Sequence, residues 1–348
     1  NLWSGLEMAD RELNLLSLDG GGVRALSTLY ILKHVMEAID RENPPKPCEF
    51  FDMIGGTGSG GLLAIMLGRL KMDIDQCIVA YTRLCKHVFG HKKRLSLTTM
   101  GNIRGKPKYE GKKVESALKS ILRELGHEDR DMLLQDMDTS CRVFVCVTDD
   151  STRKLVPLAS YLSKYCPTEL YKTTKVWEAG VACFANALLF EPVPLGPSRR
   201  RFQDSSLQAN NPIREVWIEA KNVWRLTALE TQLRCMVSIG TGMPCIKRGA
   251  KTGGMFGFSK TQEALALDPE VETNKFIQEH SELDDDNRLF RFDVPNGLAD
   301  IELDSVQEME TIVDATQDYL AKELVYKQVR RCGKALLRPG SSERSYRR

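Results

Sequence analysis

The chain has 348 residues, enough to bury a substantial core in one large domain or two smaller ones. With 42% hydrophobic and 28% charged residues it has the composition of an ordinary globular protein, and a net charge of +2 does not by itself indicate a partner. No apolar run reaches the roughly 18 residues of a membrane-spanning helix, and the charged residues 1–12 lack the apolar region of a signal peptide.

The ten cysteines lie mostly in apolar, periodic segments and show no paired C-x-x-C spacing. This usage predicts buried free thiols in a reducing compartment, in preference to disulfides or a zinc site. We therefore expect an intracellular, cytoplasmic protein without a bound metal.

Two segments are rich in lysine and arginine, residues 92–113 and 327–348. The simpler interpretation is a solvated loop and a solvated tail. The alternative is peripheral contact with an anionic membrane, near which each cation contributes on the order of 1 kcal/mol. No aromatic residues interleave these cations in a stacking pattern, so no nucleic acid is expected as a partner.

Strand and helix patterns alternate along the first two thirds of the chain. Strands are predicted at residues 13–18, 50–54, 141–148 and 233–239. Helices are predicted at residues 23–39, 62–70, 75–88, 114–125, 174–186 and 213–223. Such alternation implies an α/β fold with a mostly parallel sheet covered by helices on both faces.

Beyond residue 242 the pattern changes. Helices are predicted at 264–283 and 306–329, with a strand-like segment at 288–294 between them. We interpret this part as a helical extension packed on the core. The predicted organisation is a lead-in, a core, an extension and a basic tail, at residues 1–12, 13–242, 243–330 and 331–348.

Two glycine-rich turns each follow a predicted strand and open a predicted helix, at residues 19–24 and 55–61. Consecutive glycines let backbone amides point together, and the start of the helix adds partial positive charge. Such a turn can hold the oxyanion of an acyl-transfer intermediate, each donor stabilising it by about 3 kcal/mol. The alternative is that the glycines only permit tight turns between strand and helix.

The second turn nearly matches the G-x-S-x-G elbow of serine hydrolases. If Gly56 and Gly60 are its two glycines, Gly58 stands where the nucleophilic serine is expected and Ser59 follows it. In a register shifted by one residue, Ser59 becomes the nucleophile. Thr57 then lies two residues before it, where a Cβ crowds the sharp turn.

The same turn also fits the dinucleotide-binding pattern G-x-G-x-x-G. That pattern needs an acidic residue about 20 positions onward at the end of a second strand. Asp73 and Asp75 instead begin a predicted helix, and no Gly-Lys-Ser/Thr follows either turn. A dinucleotide-binding domain is therefore only a minor alternative.

Taken in order, these motifs resemble those of the patatin-like phospholipase family. They are Asp-Gly-Gly-Gly-Val-Arg at 19–24, Gly-Gly-Thr-x-x-Gly-Gly at 55–61, and Asp204 ahead of Asn-Asn-Pro at 210–212. The resemblance runs from about residue 13 to residue 242. It implies a three-layer α/β fold and a lipid acyl hydrolase that uses a Ser–Asp dyad on glycerolipid or phospholipid acyl chains, with no metal or other cofactor.

Site residues carry over by position from this resemblance. Gly20, Gly21, Gly22 and Arg24 match the oxyanion loop, and Asp204 matches the dyad aspartate, which acts as general base.

The chain also departs from the family pattern. Position 58, where the family has its serine, is Gly58. The usual Asp-Gly-Gly or Asp-Gly-Ala is Asp204-Ser205-Ser206, and bulkier side chains stand at 179–187. The two serines are interpreted as turn residues, either of which can hydrogen-bond Asp204.

Three hypotheses follow. In the first, Ser59 attacks a fatty-acyl ester with Asp204 as its general base. In the second, the fold is a lipid- or protein-binding module without hydrolysis. In the third, Asp204 activates water directly against a bound ester. Further domains in a longer chain are also expected.

Overall fold

A central sheet of eight strands organises the chain in the computed structural model. The structure describes residues 12–90, 108–127, 131–138, 140–187, 189–242 and 269–337. The strands are β1 (Leu13–Leu18), β2 (Met53–Thr57), β3 (Arg142–Asp149), β4 (Leu155–Ala159), β5 (Val193–Leu195), β6 (Arg200–Asp204), β7 (Leu233–Ile239) and β8 (Leu289–Phe292). They pair along the path β5-β6-β3-β2-β1-β7-β8, in which β2 and β6 follow one another along the same edge of β3, and β4 pairs with the other edge of β3.

Helices connect the strands. They are α1 (Ala25–Glu37), α2 (Pro47–Phe50), α3 (Ser59–Ala64), α4 (Ile74–Phe89), α5 (Gly111–Glu124), α6 (Thr168–Thr173), α7 (Val176–Phe184), α8 (Ser206–Ala209), α9 (Ile213–Val223), α10 (Pro269–Glu279), α11 (Ser281–Asp285), α12 (Met309–Leu320) and α13 (Glu323–Leu336). None of the described helices is long and apolar enough to cross a membrane.

The sheet separates two apolar layers, which confirms the predicted three-layer α/β sandwich. Leu16 and Leu18 of β1 belong to the larger cluster, with residues of α1, α4 and α7. Leu13 and Leu15 belong to the smaller cluster, with residues of α9 and α10. Side chains alternate between the faces of a strand, and burying each leucine contributes about 1.5–3 kcal/mol. Strands β3, β2, β1, β7 and β8 pair in parallel, whereas β4, β5 and β6 make antiparallel pairs.

The predicted first and last residues of several elements agree with the structure. Strands β1 and β7 and helix α9 have the predicted bounds. Helix α4 begins one residue early at a capping box, in which Asp73 Oδ1 accepts a hydrogen bond from Gln76 N–H at 2.8 Å.

The strand predicted at 50–54 was misplaced. Pro47 stands at the first position of α2, where its fixed φ favours a helical turn, and β2 begins only at Met53. Strand β2 then continues through the glycines to Thr57. Strand β4 was not predicted because Pro157 interrupts its pattern, which an edge strand tolerates.

The part of the chain after residue 268 contributes to the sheet and to one helical layer. Strand β8 pairs in parallel with β7, and α12 and α13 both contact α1. The single helix predicted at 306–329 is two helices, α12 and α13. The domain boundaries given above stay a prediction.

Candidate active site

The carboxyl ends of strands β1, β2 and β6 lie close together. Thr57, the last residue of β2, pairs with Cys146 of β3, and Asp204, the last residue of β6, pairs with the next residue, Val147. Val147 also pairs with β4, so β6 must follow β2 along the other edge of β3. Strand β6 runs antiparallel to β3, and its end therefore meets the end of β2. This register places Asp204 beside the turn at Gly58.

Gly58 has the backbone of an elbow, with φ 55° and ψ −126°. A Cβ at this position would lie 3.6 Å from Asp204 Oδ2 and 3.1 Å from Ser206 Oγ. At Gly60 a Cβ would lie 2.2 Å from the carbonyl oxygen of Leu18, so only glycine fits there. A side chain at position 58 would thus project towards Asp204, as the nucleophile of an elbow does.

The hydroxyl of Ser59 is turned to the oxyanion loop. Its Oγ accepts a hydrogen bond from Gly21 N–H at 2.9 Å, and the residue is 3% exposed. No hydrogen bond joins Ser59 to Asp204 in the described part of the chain. The role of Ser59 as nucleophile stays a prediction, and its observed contact fixes the loop.

The loop at residues 20–22 is held from several sides. Gly20 donates to the carbonyl oxygen of Asn210 at 3.1 Å and accepts from Thr241 Oγ1 at 2.8 Å. The hydroxyl of Tyr81 donates to the carbonyl oxygen of Gly22 at 2.6 Å. For the Gly22 amide, no partner is found among the residues that the structure describes. That amide is therefore the loop donor that remains for a ligand.

No hydrogen bond or ion pair joins Arg24 to Asp204 among the described residues. Its Nε donates to the carbonyl oxygen of Gly21 at 3.4 Å, and its Nη1 donates to that of Leu298 at 3.4 Å. Burial lowers the pKa of this guanidinium. Arg24 therefore helps to hold the loop from behind, and it also lines the cavity described below.

Asp204 is 8% exposed and accepts two side-chain hydrogen bonds. Asn186 Nδ2 donates to its Oδ2 at 3.2 Å, and Ser206 Oγ donates to the same oxygen at 3.0 Å. Burial raises the pKa of Asp204 to about 6, against the lowering effect of the hydrogen bonds from Ser206 and Asn186. Ionised at neutral pH and yet moderately basic, this carboxylate suits a general base.

A buried ion cluster, which sequence reasoning missed, lies behind the loop. Arg291 Nη2 contacts Asp19 at 2.8 Å, Glu270 at 2.9 Å and Asp293 at 3.0 Å. Asp293 Oδ1 also accepts from Gly242 N–H at 2.6 Å. The cluster ties β8 and α10 to the residue that precedes the loop. Its only signal in the sequence is an aspartate directly ahead of three glycines.

A cavity of about 240 Å³ opens at this place. Its polar end is formed by residues 20–22, Gly58, Asp204 and Ser206, and its apolar side by three phenylalanines. The three rings are Phe89, Phe184 and Phe190, with centroids 5.6–6.2 Å apart. A larger groove of about 850 Å³ runs along α1 and α4, and neither Asp204 nor the glycine loop lines it.

One group of side chains in the described ranges has metal-ligating atoms within 4.8 Å of one another, namely Glu230, His280 and Glu282. None of these residues lines the cavity at Asp204. The site at the strand ends is thus built from a carboxylate, hydroxyls and backbone amides.

These features can be compared with known proteins. A family model described as Patatin-like phospholipase matches residues 16–217. The chain belongs to the patatin-like phospholipase family. The resemblance found in the motifs is therefore confirmed.

Similar proteins carry phospholipase names. Patatin-like phospholipase 1 of Plasmodium falciparum is 28% identical over 347 residues, covering 91% of this chain and 48% of that protein. Phospholipase A I of Arabidopsis thaliana is 27% identical and covers 68% of this chain and 21% of that protein. Human Calcium-independent phospholipase A2-gamma is 28% identical and covers 67% of this chain and 28% of that protein. The chain thus spans less than half the length of these relatives.

Among solved structures, VipD from Legionella pneumophila aligns with a TM-score of 0.36 and 11% identity, covering 89% of this chain and 67% of that one.

Proposed function

We propose that the chain hydrolyses acyl esters of glycerolipids or phospholipids, with Asp204 as general base. One observation carries the proposal. A buried carboxylate with a pKa of about 6 faces the elbow position and the glycine loop, above a cavity walled by phenylalanines. Each part matches a need of acyl transfer, which requires a base, an oxyanion donor and an apolar surface for the chain.

In this proposal the ester carbonyl lies between the glycine loop and Asp204, and the acyl chain lies against Phe89, Phe184 and Phe190. A cavity of about 240 Å³ is smaller than the roughly 300–1,000 Å³ of drug-sized ligand sites. It therefore holds the reacting end of the lipid, and the remainder lies outside.

The hypotheses for this site differ in the group that attacks the ester. Ser59 serves as nucleophile only after its hydroxyl leaves the Gly21 amide. Water held by Asp204 is the remaining hypothesis from the sequence. A second candidate function, lipid binding without hydrolysis, is favoured by the glycine at position 58, which removes the side chain that would otherwise project towards Asp204.

The membrane contact predicted from the two basic segments stays part of the proposal. Much of those segments, at 91–107 and 338–348, lies outside the described residues. Binding of the chain to vesicles with and without anionic phospholipid tests this contact separately from hydrolysis.

The test of hydrolysis is turnover of a chromogenic short-chain ester and of phospholipid vesicles by the unmutated chain and by Asp204→Asn. Removing a general base lowers kcat by about 10²- to 10⁴-fold, and we expect a loss in that range. Glu219→Gln is the matched control. Glu219 is another buried carboxylate with two side-chain donors, Tyr161 and Ser163, but it does not line the cavity.

Equal losses in both variants would indicate damage to the fold and not to a base. No turnover by the unmutated chain, together with retained binding of fatty acid, would replace hydrolysis by the binding function.

A further inference from the structure

The serines that replace glycine and small residues after Asp204 differ in their surroundings. Ser205 is fully buried, and its hydroxyl has no hydrogen-bond partner among the described residues. Ser206 is partly exposed and lines the cavity. Its hydroxyl donates to Asp204 Oδ2 at 3.0 Å. Only Ser206 thus combines contact with the base and access to a ligand.

The Ser206 hydroxyl occupies the region that a side chain at position 58 would enter. A Cβ built on Gly58 would lie 3.1 Å from Ser206 Oγ, and one built on Gly20 would lie 3.0 Å from the same atom. The hydroxyl is therefore next to the elbow, the first glycine of the loop and the carboxylate. The hydroxyl of Ser206 thus lies next to the place that the side chain missing at position 58 would occupy.

We propose that Ser206 is the nucleophile of this chain and supplies the hydroxyl that is absent at position 58. The proposal rests on the lipid acyl hydrolysis proposed above, and it names the attacking atom.

Comparison with Ser59 supports this choice. Ser59 Oγ accepts from the Gly21 amide and is buried at 3% exposure, whereas Ser206 Oγ donates to the base. Asp204 is in turn oriented by Asn186, whose Nδ2 donates to Oδ2 at 3.2 Å. A nucleophile, a base and a third group that orients the base are the arrangement that activates a hydroxyl.

The reaction balances with these groups alone. Ser206 Oγ attacks the carbonyl carbon of the ester, its proton passes to Asp204, and the carbonyl oxygen becomes an oxyanion next to the Gly22 amide. The bond to the lipid alcohol then breaks, and the alcohol leaves with the proton from Asp204. Water attacks the acyl–Ser206 ester in the second half, again giving its proton to Asp204. The bond to Oγ breaks, Oγ takes the proton back, and the fatty acid leaves.

Labelling of the unmutated chain gives the first test, which does not depend on any variant folding. The chain is treated with a fluorophosphonate, digested, and the modified residue is located by fragmentation mass spectrometry. We expect the adduct on Ser206. An adduct on Ser59, or no adduct at all, would overturn the proposal.

Variants give the second test. Ser206→Ala is expected to lose at least 100-fold in ester turnover and all labelling, whereas Ser205→Ala, the matched control, keeps both. Placing the hydroxyl back in Gly58→Ser/Ser206→Ala is expected to restore part of the turnover lost in Ser206→Ala. Thermal melting of each variant verifies that it is folded.

The outcomes separate the two proposals. If Ser206→Ala keeps its turnover while Asp204→Asn loses it, hydrolysis stands and Ser206 is not the nucleophile. If the unmutated chain neither turns over esters nor is labelled, while Gly58→Ser/Ser206→Ala is active, both proposals fail for this chain although its scaffold is competent.

Discussion

Two buried aspartates flank the glycine loop, and they differ in what surrounds their charge. Asp19, directly ahead of the loop, contacts Arg291 at 2.8 Å in a cluster with two further carboxylates. Asp204, across the cavity, accepts hydrogen bonds only from neutral groups, Asn186 and Ser206, and no ion pair to it is found in the described ranges. Burial raises the pKa of both carboxyls, and at Asp19 the attraction of Arg291 opposes that rise.

The two aspartates differ in role, since Asp19 holds chain segments together and Asp204 faces the cavity. A carboxylate neutralised by a buried cation holds chain segments together, because removing either partner leaves a buried charge alone. Burial raises the pKa of Asp19 to about 7, so proton affinity does not distinguish the two carboxyls. Asp204 lines the cavity and can exchange a proton with a substrate, whereas Asp19 does not line it. The Arg291 cluster thus fixes the residue ahead of the loop, and Asp204 faces the loop across the cavity.

The largest effect is expected from breaking the cluster. Arg291→Met leaves two buried carboxylates, Asp19 and Asp293, and the partly exposed Glu270 without their cation. It should lower the free energy of unfolding by about 3–5 kcal/mol. Urea denaturation measures this loss. Arg214→Met is the control, because Arg214 also pairs with two carboxylates, Glu272 and Glu279, but at the surface, and it should change stability little. Similar small losses in both variants would contradict the structural role of the cluster.

The next largest effect is expected from the burial of Asp204, which lowers the free energy of unfolding at neutral pH. The folded-state pKa of Asp204 lies above its ordinary value of 3.8, at about 6, so the folded state binds the proton more tightly than the unfolded state. Its contribution is fully present below pH 3.8 and is lost as the pH rises through 6. Asp204→Asn should therefore be more stable than the unmutated chain at pH 7, by at most about 3 kcal/mol. Denaturation at pH 4 and pH 7 gives the difference. A variant that is less stable at pH 7 would show that the ionised carboxylate stabilises the fold.

The pH dependence of turnover sharpens the same contrast. Since the base must be ionised, kcat/KM should fall about tenfold for each pH unit below a midpoint near 6 and be constant above it. A profile measured between pH 4.5 and 8 tests this. A midpoint near the ordinary pKa of 3.8 would mean that Asp204 is solvated in the working enzyme.

The smallest effect is expected at the loop itself. Tyr81→Phe removes the hydrogen bond to the carbonyl oxygen of Gly22 and should cost about 1 kcal/mol of stability. If this hydrogen bond positions the Gly22 amide as an oxyanion donor, kcat should fall although the variant stays folded, with KM little changed. Unaltered turnover would show that the contacts of the loop with Ser59, Thr241 and Arg24 position it without Tyr81.

Much of the fold follows from local patterns. The apolar runs that became β1 and β7 and the periodic segment that became α9 specify their elements with their own residues. The glycine-rich turns and Asp204 were also recognised, because their motifs are contiguous in the chain.

The relations between distant residues could not be predicted in this way. That β6 follows β2 along one edge of β3 depends on pairing between strands far apart in sequence. The contacts of Arg291 with Asp19 and of Ser206 Oγ with the space above Gly58 have the same origin. A single sequence indicates that a hydroxyl is missing at 58, and only the packing shows which oxygen lies beside the gap.

The thiols of this chain offer a built-in reporter. The nine described cysteines are free and buried, and burial raises the pKa of several, Cys85 to about 12. Since the thiolate is the reactive form, alkylating reagents should modify these side chains only when the surrounding structure opens. Cys183 lines the cavity, so an acyl chain seated there should slow its alkylation while leaving that of Cys332, in the core, unchanged. Occupancy of the site can thus be followed by mass spectrometry without any chromophore or added tag.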